Sequence, residues 1–286
     1  MKRLVVTADD FGLCAEVNEA VRRAHRDGVL TAASLMVSAD AAGEAAAIAR
    51  DQGLAVGLHL ALVEARPVLA PERVPDLVDA HGRFRSGPAA LGFRLATSAR
   101  VREQVRAECA AQVEAFLAIG LPIDHLNAHH HLHVHPYVLD VVLALARRHR
   151  IPAVRVPLQP GLPPASQVLS VAAMAPWAAR ARSRLRRAGI ATNDALFGLH
   201  ETGAMTEAAW LAIVTRVRPG VTEVYCHPAI ATRGVLRDTM RDYRHAEELA
   251  ALLSPVVRGA IERAGIRRVS FGQGNQETRR DRWESC

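Results

Sequence analysis

The sequence predicts an α/β protein, a (β/α) barrel with largely parallel strands, and three observations carry that expectation. Short apolar runs alternate with amphipathic segments along the whole chain, the pattern of strand–helix units on a parallel sheet. Eight runs read as strands, and 286 residues is a length at which a barrel folds as one unit. Polar residues able to do chemistry sit within or just behind the apolar runs, and parallel barrels build their sites at the carboxyl ends of strands.

Residues 3–8 read as a buried first strand. The helix expected at 16–26 carries Val17, Ala20, Val21 and Ala24 on one face, and Gly28 ends it. Strands at 31–37 and 54–60 flank an alanine-rich helix near 41–50. A connection from about 61 to 97 holds Pro67, Pro71, Pro75, Gly82, Gly87 and Pro88, and one so long is more often functional than idle. A helix near 100–119, a strand at 123–127 and a helix near 137–148 follow. Runs at 153–157, 191–197, 221–226 and 267–271 complete the strands. With no repeat or linker, one domain over 1–272 is expected, followed by a polar, disordered tail at 273–286.

Hydrophobic residues make up 50% of the chain and charged ones 23%, a globular composition. No apolar run approaches the ~20 residues of a membrane-spanning helix, and after Lys2-Arg3 only five residues precede Asp9 and Asp10, unlike a signal peptide. The four cysteines form no C-x-x-C pair, which suits a reducing compartment, so a cytoplasmic location is expected. Lys2 is the only lysine, so arginine carries the net charge of +7. No nucleic-acid motif accompanies it, and an arginine-rich solvated surface, not a nucleic-acid partner, is expected.

On this map Asp9 and Asp10 follow the first strand, His59 ends the third and His129 follows the fourth. Arg155 lies in the fifth, Asp194 in the sixth, and His227 follows the seventh. Adjacent carboxylates leaving a strand point in different directions, so one can hold a metal while the other accepts a proton from water. A lone Asp there would read as a cap or turn, and His59 alone as a core histidine. Residues 125–136, H-L-N-A-H-H-H-L-H-V-H-P, hold six of the 13 histidines, and imidazole is the commonest transition-metal ligand. In an extended stretch His129, His131, His133 and His135 would share a face, more than one tetrahedral ion needs. His227, in Y-C-H-P at a strand tip, can donate a proton to a departing amine.

The combination of T-A-D-D-F-G at 7–12, G-L-H-L at 57–60, the histidine block before Pro136 and the late His227-Pro228 resembles the YdjC family of carbohydrate deacetylases, over most of the chain. The resemblance implies a barrel related to TIM barrels and one divalent metal, zinc foremost, magnesium or another ion being alternatives. It implies Asp10, His59 and His129 as ligands, with His131 and His133 as alternatives. Asp9 becomes general base, His227 general acid, and Phe11, Arg155 and Asp194 substrate contacts. The family commonly has D-S-H where this chain has Asn127-Ala128-His129. That form, with Thr192-Asn193-Asp194 and Y-R-H-A-E-E-L at 243–249, resembles a hopanoid-biosynthesis branch, which implies an N-acetylglucosaminyl hopanoid glycolipid as substrate.

Competing readings are a soluble chitooligosaccharide-type deacetylase, a metal-dependent phosphoesterase, which would want ligands for a second metal, and a non-enzymatic metal-binding protein. A homodimer is compatible with the sequence. In residues 174–189, Met174, Trp177, Ala178, Ala181, Leu185 and Ala188 fall on one helical stripe and five arginines mostly off it. A basic amphipathic helix of this kind can rest on the inner membrane face; the plainer expectation, favoured by its many alanines, is a barrel helix packing its stripe inward.

Overall fold

β1 (Lys2–Phe11) is the centre of the architecture, and its sequence explains why. Every residue after Lys2 is buried, as a strand covered on both faces requires. Leu4, Val6 and Ala8 join the large core under the helices. Val5, on the opposite pleat, joins a small cluster with Ala32, Ala153, Val221, Val269 and Phe271 inside the barrel. Thr7 and Asp9 share Val5's inward face by the two-residue period of a strand.

The computed structural model describes residues 1–274. After β1 come α1 (Ala15–Asp27), β2 (Ala32–Leu35), α2 (Ala42–Gln52) and β3 (Ala55–Leu60). Next are α3 (Pro88–Thr97), α4 (Ala99–Ala118), β4 (Ile123–Ala128), α5 (Pro136–Arg148) and α6 (Val168–Arg187). The chain continues through β5 (Ala195–Phe197), α7 (Glu207–Val214), β6 (Gly220–Cys226) and α8 (Val235–Thr239), then α9 (His245–Leu253), α10 (Pro255–Arg263) and β7 (Ile266–Arg268). The strand order is β4-β3-β2-β1-β6-β5, with β7 also on β1, and every named pair is parallel. β6 pairs along β1 from Lys2 to Ala8, whereas β7 pairs at Lys2–Leu4 and β2 at Thr7–Phe11.

The sheet is a curled, half-barrel form of the predicted α/β fold, with seven strands among the described residues instead of eight. The fifth expected strand, 153–157, survives only as isolated bridges, Leu126 to Val154 and Ala153 to Ala191. Pro152 and Pro157 lack the N–H a ladder needs, and the Asn193 amide bonds both Val156 backbone groups, at 2.7 and 2.8 Å. The sixth shrinks from 191–197 to β5. The connection at 61–97 is also less open than expected, for it contains α3 and a 3₁₀ turn at Pro71–Arg73. Buried Glu108 of α4 accepts the Val68 and Leu69 N–H groups at 2.8 and 3.0 Å.

α6 packs its apolar stripe inward, as an outer barrel helix does. Ala178, Ala181 and Leu185 pack into the core. Arg184 and Arg186 pair with Asp140 and Asp194, so two of the arginines that would lie among headgroups are already neutralised within the protein. No helix among the described residues is long and apolar enough to cross a membrane. The tail expected at 273–286 falls almost wholly outside the described residues.

Candidate active site

The carboxyl ends of β1, β3, β4 and β6 open into a cavity of about 340 Å³ lined by Asp9, His59, His129, His131 and His227, among others. That volume falls within the range of small-molecule sites. Asp10 reaches the cluster because β1 bulges: its register shifts between Ala8 and Phe11, and Asp10 takes a left-handed φ of 61°. Such a conformation is costly for a residue with a Cβ and clusters at functional sites. Gly12 follows at φ 92°, where an added Cβ would come within 2.9 Å of Leu35, so a side chain is excluded there.

Asp10 Oδ1 lies 3.3 Å from His59 Nε2 and 3.3 Å from His129 Nδ1, and those two nitrogens are 3.4 Å apart. Both Asp10 carboxylate oxygens are buried without a hydrogen-bond partner, a costly arrangement that a cation between these three residues would relieve. The Asn127 amide donates to Asp9 Oδ1 at 3.0 Å and Ser34 Oγ at 2.8 Å. Its Oδ1 is therefore the acceptor for His59 Nδ1–H at 2.7 Å. That bond fixes the tautomer and leaves the His59 Nε2 lone pair facing Asp10, the outer support a metal-binding histidine uses. The donor set fits a divalent metal. Burial alone would raise Asp10, but His129 beside it holds its carboxyl well below the usual range. Burial opposes charge on His129, yet Asp10 and Glu64 hold the ring up to about 10.

Asp9 has a different environment. Arg155 donates to its Oδ2 at 2.5 Å and its Oδ1 at 2.9 Å, and to Glu223 Oε1 at 2.6 and 2.9 Å. The guanidinium also lies over the Tyr225 ring at 4.7 Å. Burial works to raise the Asp9 carboxyl, and Arg155, with smaller help from His59 and His227, more than offsets it, so Asp9 stays ionised.

His227 is pinned through its backbone: its N–H donates to Glu248 at 2.6 Å and its carbonyl accepts from His245 Nδ1 at 2.6 Å. Its ring stands between Tyr225 and Tyr243, at centroid distances of 5.5 and 5.2 Å. Burial pushes His227 down to about 4, so the resting ring is neutral.

The histidine block does not alternate. Residues His129–Val134 form a 3₁₀ segment with left-handed φ at His130 and His131, which fans the rings apart. His130 turns to Glu64 at 3.0 Å, and His131 to the Tyr225 hydroxyl at 3.4 Å. His133 lies fully buried with Nε2 on the Arg155 carbonyl at 2.8 Å, and His135 stacks edge-on against Trp177. Neither alternative ligand, His131 nor His133, belongs to a potential metal-holding group among the described residues.

The three expected substrate contacts lie elsewhere. Phe11 is wholly buried in the core and Arg155 is wholly buried between Asp9 and Glu223. Asp194 precedes β5, at the amino end, where it accepts from the Val221 N–H at 2.8 Å and pairs with Arg186. Sequence reasoning passed over Glu223, Glu64, Tyr225 and Tyr243. Glu223 carried a readable signal: a carboxylate inside the apolar run V-T-E-V-Y-C must have a buried partner.

Burial also holds His133 down, to about 4. An unfolded histidine binds its proton near pH 6.5, so as pH falls below that the unfolded chain gains protons first. Stability is therefore full above pH 6.5 and is lost as pH falls toward 4, by up to about 1.4 kcal/mol per unit. Urea unfolding at pH 7.5 and 5.0 tests this: His133→Gln should show a smaller loss than wild type, and equal losses would exclude His133 as a source.

Fold and pocket together define a parallel α/β half-barrel with one carboxylate and two imidazoles clustered beside a second, ion-paired carboxylate. The chain belongs to the YdjC-like protein family, whose profile matches residues 3–263. It is 32% identical to a carbohydrate deacetylase of Brevibacillus brevis over 274 residues, covering 95% of this chain and 99% of that one. Identity to a carbohydrate deacetylase of Geobacillus stearothermophilus is also 32%, over 93% of this chain and 96% of that one. Among solved structures, a protein of Enterococcus faecalis V583 described as a candidate cellobiose-phosphate cleavage protein superimposes with a TM-score of 0.77. It shares 28% identity, over 95% of this chain and 98% of that one.

Proposed function

We propose that the chain is a metal-dependent N-deacetylase acting on an acetamido sugar. The observation that carries this reading is the pair of buried, unbonded Asp10 oxygens facing His59 Nε2 and His129 Nδ1. The names of its relatives point to the same substrate class.

A divalent ion held by Asp10, His59 and His129 would activate water and polarise the amide carbonyl. Asp9, held ionised by Arg155, accepts the proton that water gives up. Asn127 ties Asp9 to His59 and so fixes the base relative to the cluster. His227 passes a proton to the departing nitrogen, and because its ring rests neutral it must acquire that proton during the reaction. Tyr225 and Tyr243 flank the ring and keep it aimed into the cavity. Acetate and a free amine result.

Zinc is the ion expected first, since imidazole nitrogen suits it. His129→Ala is expected to abolish tight binding, measured by equilibrium dialysis. Because His129 is held up to about 10 without metal, binding near pH 7.5 should release about one proton per ion, read by calorimetry in buffers of different ionisation enthalpy. Unchanged affinity in His129→Ala would remove that residue from the ligand set.

The finer reading is an N-acetylglucosaminyl hopanoid glycolipid. Gln167, Ser170, Val171 and Met174 of the α6 region line the cavity, and Leu169, next to Ser170 in the chain, is 85% exposed. This apolar rim, and not the basic end of α6, is the surface against which a lipid portion would rest. Acetate release from the glycolipid, compared with N-acetylated chitooligosaccharides, tests it; equal use of both would favour a soluble-sugar enzyme.

A further inference from the structure

On the wall of the same cavity, Glu64, His129 and His130 form a second convergence of ligand atoms, all within 4.8 Å of one another. Glu64 Oε2 lies 3.0 Å from His130 Nε2 and 3.8 Å from His129 Nε2. His129 thus turns Nδ1 to Asp10 and Nε2 to Glu64. Glu64 and His130 come from different segments, behind β3 and behind β4, and both adopt left-handed φ, 57° and 51°. Both are partly exposed, so an ion could arrive from solvent without opening the fold.

We infer that Glu64 and His130 form a second, weaker metal site that takes a zinc-class divalent ion at excess metal and blocks the cavity. The inference rests on the assignment of His129 Nδ1 to the first ion. With Nδ1 so engaged, the neutral ring carries its proton on Nε2, which lies 3.8 Å from Glu64 Oε2 and offers no second lone pair. Two protein ligands then remain for the second ion, and solvent supplies the rest. A carboxylate with an imidazole suits zinc, copper and nickel better than magnesium, which prefers oxygen ligands. Since Glu64, His129 and His130 all line the cavity, an ion there occupies space that substrate needs. The chemistry of the first ion does not require the second, because the second group contains neither Asp9 nor Asp10.

The test is metal titration of the full chain, stripped by chelator and reloaded with Zn²⁺ or Co²⁺, read by equilibrium dialysis and Co²⁺ absorption. Wild type is expected to bind two ions per chain, one tight and one weak, while Glu64→Gln and His130→Ala each lose the weak ion alone. Acetate release at one equivalent of metal should persist in both variants, and inhibition by excess zinc, present in wild type, should disappear. Saturation of wild type at one ion, or a weak ion retained in both variants, overturns the inference. Loss of activity at one equivalent in both variants also overturns it, by making the pair part of the reaction. His59→Ala separates the two readings: losing the tight ion and keeping the weak one supports both. Tight binding unchanged in His59→Ala refutes the first assignment alone, and Glu64→Gln and His130→Ala then decide the second.

Discussion

Replacing Asp9 by Asn is expected to lower turnover by about 10²–10⁴-fold, the usual scale for loss of a general base, while leaving metal stoichiometry unchanged. Asn preserves the shape and can still accept a hydrogen bond from Arg155 or Asn127, so the cluster of Asp10, His59 and His129 keeps its frame. What it cannot do is take a proton from water. The buried guanidinium retains Glu223 as a counter-charge at 2.6 Å, and the variant should therefore fold. The measurement is kcat for acetate release beside metal content by equilibrium dialysis. Near-full turnover with metal bound would remove Asp9 from the chemistry, and turnover lost together with the metal would make it a ligand.

The largest effect on stability is expected from Arg155→Ala, about 3–5 kcal/mol, the scale for breaking a buried ion pair from one side. Arg155 is wholly buried and serves Asp9 and Glu223 at once. Its removal leaves two carboxylates in the barrel interior, with Thr7 donating to Glu223 at 2.9 Å and Asn127 to Asp9. The pH dependence has a definite sign. In wild type the Asp9 carboxyl is held below its unfolded value, so its contribution is present above about pH 4 and is lost in stronger acid. In the variant, burial, the largest influence on Asp9, loses its main opponent and moves the carboxyl upward, so the deficit should narrow as pH falls from 7 to 5. Urea unfolding at both pH values reads this directly. A deficit below about 1 kcal/mol, or one that widens in acid, would mean that water replaces the guanidinium. Arg155→Lys restores charge without the two-sided fork and should fall between.

Much of the fold and part of the site were legible because they depend on periodicity and on strand ends. Buried runs followed by amphipathic ones specify parallel strand–helix units, and a residue just past such a strand must lie at the carboxyl rim. That reasoning selects Asp9, Asp10, His59, His129 and His227 without knowledge of which strands are neighbours, and all five line or adjoin one cavity. It selected Asp194 wrongly because it depends on where a strand begins. With β5 starting at Ala195, the same carboxylate stands at the amino end. It also counted a strand at 153–157, where two prolines and the Asn193 amide take over the backbone bonds.

The sequence by itself determined which chemistry the chain can carry: paired carboxylates at the end of β1, imidazoles at the ends of β3, β4 and β6, and Lys2 as the only lysine to compete with arginine for the buried charge. Only the tertiary structure decided how those groups divide the work. Left-handed φ at Asp10, His130 and His131 turns side chains in directions that a strand period of two does not contain. Local propensity disfavours each of these conformations, so they persist only because the surrounding packing over-determines them. Arg155 became a buried brace between Asp9 and Glu223 instead of a substrate contact for a related reason. Its partners lie 146 and 68 residues away, and a pairing across the barrel interior exists only once β1 and β6 are side by side.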